Sequence, residues 1–132
     1  MLPHPPADVA ALETQYKRVE RDVTRILESA EGRLRARAIT LKEYADILEE
    51  DVLPRWKKLH EDFQSAGSIP EVHREEMADL RKIIELREAG WELQIEALRE
   101  GDPQKDREAE RRFDEASDII RRLNQGAKNA DN

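Results

Sequence analysis

The chain contains no cysteine. That excludes disulfide frameworks, zinc–thiolate centres and thiol nucleophiles, and leaves the redox compartment open. Long apolar runs are missing as well. The longest is the four residues Val9-Ala10-Ala11-Leu12, against about 20 for a membrane-spanning helix and roughly 7–15 for a signal-peptide core. No direct membrane insertion is therefore expected, and the segment reads as soluble. It suits either a cytoplasmic chain or an extracytoplasmic domain of a larger membrane protein. A basic excess is absent too: the formal net charge is −7. Such a chain exerts no long-range pull on nucleic acid or anionic lipid, so neither is expected as a partner. The five glycines are scattered and form no phosphate-cradling loop.

Charge is abundant. Charged residues make up 40% of the 132 and the apolar set 38%, a balance that suits disorder or long amphipathic helices equally. Periodicity decides for helix. After the proline-rich lead-in, Asp8 caps a helix with Val9, Leu12, Tyr16, Val19, Val23, Ile26 and Ala30 on one face. These alternate in steps of three and four, the coiled-coil rhythm. Glu13 and Lys17 form an i,i+4 pair on the wet face. The end falls near Arg35–Arg37, where cations suit the negative end of the helix dipole.

Thr40-Leu41-Lys42-Glu43 fits a capping box, and Ile39 with Tyr44 fits a hydrophobic staple. The second helix carries Leu41, Tyr44, Leu48, Val52, Trp56, Leu59, Phe63 and Ala66. Pro54 removes a backbone donor and clashes with the preceding turn at about 3 kcal/mol. The stripe resumes at Trp56, which predicts a kink and not a break. Gly67 is placed as a left-handed terminator, and Ser68 with Glu71 as the next cap. The third helix holds Met77, Leu80, Ile84, Trp91, Ile95 and Leu98, widened by Ile83, Leu86 and Leu93. Gly101-Asp102-Pro103 supplies stop, cap and first-turn proline. The fourth helix carries Ala109, Phe113, Ala116, Ile120 and Leu123 and is expected to end at Gly126.

Short links between such rods, roughly 33–46 Å long, force neighbours to run antiparallel. The predicted fold is all-α: an up-down-up-down four-helix bundle over residues 8–125, with an extended lead-in at 1–7 and a flexible tail at 126–132. A three-helix bundle with a detached or swapped first helix is one alternative. A homodimer that completes a coiled coil between chains is another.

Candidate chemistry is sparse. A di-metal bundle needs two Glu-x-x-His pairs. The residues three before His4, His60 and His73 are Met1, Lys57 and Pro70, so no metal site is expected, nor any cofactor. His73 lies one turn before Met77 and is the one imidazole placed to face the seam; it reads as a partly buried structural histidine. Glu49-Glu50-Asp51 and Glu75-Glu76 lack the desolvated cleft that separates catalytic pKa values, and read as solvated faces. The four serines lack a nucleophile elbow. No catalytic residue is expected. Arg33, Arg35, Arg37 and Lys42, and the pairs Arg111-Arg112 and Arg121-Arg122, read as dipole compensation and surface pairing.

Arg87 is an anomaly, because it falls between Ile84 and Trp91 on the core-facing stripe. Its stem is expected to pack on Trp91 or Trp56 while its charge reaches water or a carboxylate. The sharper reading is a buried ion pair with Asp51 that sets helix register. Trp56, Arg87, Trp91 and His73 are thus the candidate pocket or register-setting residues.

Asp51-Val52-Leu53-Pro54-Arg55-Trp56, followed by Leu98-Arg99-Glu100-Gly101-Asp102-Pro103 before a last charged helix, resembles a recurrent bacterial all-helical domain. The resemblance covers about residues 40–124. It implies a domain without assigned activity, found alone or appended to membrane proteins such as some rhomboid-family proteases, and it transfers no site residues. Two functional expectations follow. The first is a non-enzymatic interaction or scaffold domain offering charged helical faces to a protein partner. The alternative is a sensory or ligand-binding bundle, which predicts a cavity near Trp56, Arg87 and Trp91.

Overall fold

The computed structural model describes residues 7–130, with side chains through Gly126. Among these residues the chain is all-helical, with no β-strand. Four rods account for it: α1 (Val9–Arg35); a second rod made of α2 (Leu41–Ile47), a π-helical turn (Leu48–Val52) and α3 (Leu53–Gln64); α4 (Arg74–Glu100); and α5 (Pro103–Ala130).

Local chemistry explains most boundaries. The Asp8 carboxylate accepts the Ala11 N–H at 3.0 Å and caps α1. At Thr40 both halves of the capping box form: the Glu43 N–H donates to the Thr40 hydroxyl, and the Thr40 N–H to the Glu43 carboxylate, each at 3.1 Å. Gly101 ends α4 in the left-handed region at φ 65°, and Asp102 accepts the Gln104 N–H at 3.0 Å. α1 closes differently, on a left-handed Arg37 (φ 59°). There the Arg37 N–H donates to Leu34 O and the Ala38 N–H to Arg33 O, a Schellman arrangement with arginine where glycine is usual.

One expectation, that the second rod is not broken at Pro54, holds, and four need correction. The helix stays continuous across Pro54, and the irregularity is the π turn just before it, in which the Leu53 N–H reaches back to Leu48 O. The wider turn relieves the clash of the proline ring with the preceding carbonyl. It also adds a residue to the buried face, so that Val52 and Leu53 are both buried. Leu41, expected on the stripe, is 56% exposed; it precedes the first packed layer, which begins at Tyr44 and Ala45. Gly67 is not left-handed. α3 has already ended at Gln64, where the Ser65 hydroxyl and N–H both take the Glu61 carbonyl. Ser68 caps nothing with its side chain; its carbonyl accepts the Ala7 N–H at 2.9 Å, and α4 starts through a 3₁₀ turn at Glu71–His73. Finally, Gly126 does not end α5, which continues to Ala130. An interior glycine costs only about 1 kcal/mol when no competing cap takes over. Met1–Pro6 of the expected lead-in, and residues 131–132 of the expected tail, lie outside the described residues.

The core is apolar throughout, with Trp56, Leu48, Leu59, Ile83, Ile84 and Val52 as its largest fully buried side chains. α1 packs on α2 and α3 and is not detached; the second rod packs on α4; α4 packs most extensively on α5. Small residues make that last approach possible. Gly90 and Ala97 on α4, and Ala109 and Ala116 on α5, are all buried, and bare or methyl-sized positions let helix axes come close.

Candidate functional site

The expected site residues separate into two places. In the interior, Arg87 stands 5.2 Å from the centroid of the fully buried Trp56 ring. Tyr16 meets the same indole edge-on, with ring centroids 6.3 Å apart. The Arg87 guanidinium donates to the Glu20 carboxylate at 3.1 Å, so the counter-charge comes from α1 and not from Asp51. Asp51 is exposed, and its carbonyl accepts from Arg55. It is thus the guanidinium itself that lies over the Trp56 ring, with its charge on a carboxylate. Burial, with the Glu20 carboxylate adding to it, holds the Tyr16 hydroxyl well above the usual tyrosine range. Trp91, one turn further along α4, packs against Phe113 at 4.6 Å between centroids. Four surface clefts are lined elsewhere, none of them by Trp56, Arg87 or Trp91.

The largest of those clefts, about 850 Å³, is a groove with α4 beneath it and α1 and α5 on either side. Tyr16, Leu80, Ile83, Ile120 and Leu123 give it an apolar lining. Glu13, Glu20, Glu75, Glu76 and Asp79 line it too, against two bases, Lys17 and Arg122. Val72, at one edge, is 84% exposed.

His73 belongs to this second place. Its Nδ1 lies 3.8 Å from the Glu76 carboxylate, and Glu13 of α1 completes a cluster whose three donor atoms lie within 4.8 Å of one another. The Glu13 carboxyl is held above its ordinary range, first by burial and then by the Glu76 charge beside it. A search for glutamate three residues before histidine misses this group, because the spacing is reversed: Glu76 follows His73 by three. Both orders place the two side chains on one helical face, so the reversed order was a readable signal; Glu13, from another rod, was not.

His60 is also in an acidic setting, 2.6 Å from Glu88 and 3.6 Å from Glu85. No helix among the described residues is long and apolar enough to cross a membrane. Compared with known protein families, with characterised proteins and with solved structures, the chain matches none.

Proposed function

We propose that the four rods form an antiparallel up-down-up-down bundle serving as a non-enzymatic protein-interaction domain, with the groove as its docking surface. The order of contacts supports the topology. Along α1, Gln15 meets Asp62 and Asp22 meets Arg55, so α1 and α3 run in opposite directions. His60 meets Glu88, Lys57 meets Glu92, and Asp46 meets Arg99, which does the same for the second rod and α4.

The observation that carries the docking reading is Val72. Exposed alone, a valine would need no explanation; here it is 84% exposed and extends an apolar-lined groove that carboxylates rim. Charge complementarity selects a basic amphipathic helix of a partner protein as the occupant. From Val72 to Ile83 the groove follows α4 for about 17 Å, enough for roughly three helical turns.

The test uses a synthetic helix of about three turns with leucines on one face and lysines on the other. Expected are resonance shifts confined to groove residues such as Val72, Asp79 and Leu123. Val72→Asp is expected to weaken binding at least tenfold by placing a charge in the apolar contact, and Glu75→Lys with Asp79→Lys to do so by reversing the rim. Equal binding of an acidic version, or shifts elsewhere, overturns the reading. So does a solution homodimer that buries this face.

A further inference from the structure

We infer that Glu13, His73 and Glu76 form a binding site for one divalent transition-metal ion, with zinc as the best fit to one imidazole and two carboxylates. The site joins two rods. Glu13 comes from the first turns of α1, while His73 and Glu76 flank the start of α4.

Geometry is the first argument. One donor atom from each residue lies within 4.8 Å of the other two. Ligands about 2.0–2.1 Å from a tetrahedral zinc stand about 3.3 Å apart, a contraction that carboxylate side chains supply by rotating.

The missing cation is the second. Several other carboxylates that reach across rods meet a lysine or an arginine: Glu20 meets Arg87, Asp22 meets Arg55, Glu92 meets Lys57, Asp46 and Glu49 meet Arg99. Glu13 and Glu76 instead meet each other; among the described residues no lysine or arginine lies within 4.0 Å of either, and Lys17, one turn along α1, acts on Glu13 only from beyond that distance. Two carboxylates held together across an interface, Glu13 half-buried and Glu76 exposed, favour a positive charge between them, and the adjacent imidazole is a third ligand that a merely solvated acidic face lacks.

Both glutamates also line the groove, so a fourth coordination position faces open solvent, and a bound ion would tie α1 to α4 at that end. The inference stands on these three side chains and does not require the docking reading; its test contains no peptide.

The experiment is isothermal titration of the full chain, stripped of metal, with zinc chloride, repeated with magnesium chloride. Helicity is checked by circular dichroism for each variant. Expected are one zinc per chain, a melting temperature that rises with zinc concentration, and no comparable magnesium binding. His73→Ala, and separately Glu13→Gln, are expected to weaken zinc binding at least tenfold with helicity retained. His4→Ala and His60→Ala are expected to leave it unchanged. Absence of zinc binding overturns the inference, which would leave a proton as the only charge shared by the two carboxylates. Binding that survives both His73→Ala and Glu13→Gln, or that is lost with His60→Ala or His4→Ala, overturns it by placing the ion elsewhere. Should Glu13→Gln unfold the chain, Glu76→Gln on the exposed side of the cluster decides in its place.

Discussion

Gly90 and Phe113 share one space: a Cβ on Gly90 would lie 2.6 Å from Cε1 of the Phe113 ring. The absent side chain on α4 is the seat of an aromatic from α5, and the same ring packs on Trp91. Two opposed effects meet at this position. Alanine favours a helix interior over glycine by about 1 kcal/mol, whereas overpacking a fitted contact costs about 1–3 kcal/mol. The clash involves three ring atoms at 3.0 Å or less, so Gly90→Ala is expected to destabilise by about 1–2 kcal/mol in urea denaturation. Combining it with Phe113→Leu is expected to recover part of the loss. An increase in stability for Gly90→Ala alone would show that the ring moves aside freely.

Arg87 and Glu20 bind α4 to α1 above the Trp56 indole. With side chains 24% and 34% exposed, the pair is too wet to count as a buried bridge and too dry to be worthless. Glu20→Ala leaves the guanidinium half-buried without a counter-charge and is expected to cost about 1–2 kcal/mol. Arg87→Met removes the charge together with its need for a partner and is expected to cost less. In a double-mutant cycle, Glu20→Ala added to Arg87→Met is expected to do little more. Additive losses would deny the coupling.

Arg37 holds a left-handed conformation at the end of α1. A Cβ there costs roughly 1–2 kcal/mol, and glycine removes that cost while adding unfolded-chain entropy. Arg37→Gly is therefore expected to raise stability by about 0.5–1 kcal/mol, read as a higher melting temperature. A fall would mean that the guanidinium makes a contribution larger than the backbone strain.

Asp62 accepts from Lys58 at 2.9 Å and from Gln15 at 2.5 Å. Hydrogen bonds from Lys58 and then Gln15 hold its carboxyl below the ordinary aspartate value, and Lys58 shifts upward in return. A depressed folded-state pKa gives stability that is present above the unfolded value and lost as pH falls through the folded one. Lys58 is exposed and Asp62 half-buried, so solvent screening keeps the effect small. Asp62→Asn is expected to lower stability at pH 7, and the difference from the parent chain is expected to shrink below about pH 4. A difference independent of pH would refute the electrostatic origin.

What could be read along the chain was whatever one turn of backbone decides. The Thr40 box, the Asp8 cap and the Gly101-Asp102-Pro103 stop each join groups three or four residues apart, and each forms as expected. The π turn also left a trace, since Leu48, Val52 and Trp56 follow one another in steps of four just before and after Pro54. A wider turn absorbs that spacing.

Contacts between rods were a different matter, because they depend on how far each helix slides and rotates against the next. Arg87 was recognisable as a cation in an apolar stripe, yet its partner proved to be Glu20 and not Asp51. Nothing in the sequence around Gly90 points to Phe113, which the packing sets against it.

Amphipathic period and caps thus dictated four helices and most of their ends, since those are short-range hydrogen-bonding and burial preferences carried by neighbouring residues. Only the packed molecule decided which side chains meet: the open groove between α1 and α5, and the approach of Glu13 to His73 and Glu76. Residues 60 or more positions apart in the chain have no local chemistry to join them, and the offset and rotation of whole helices sets their distance.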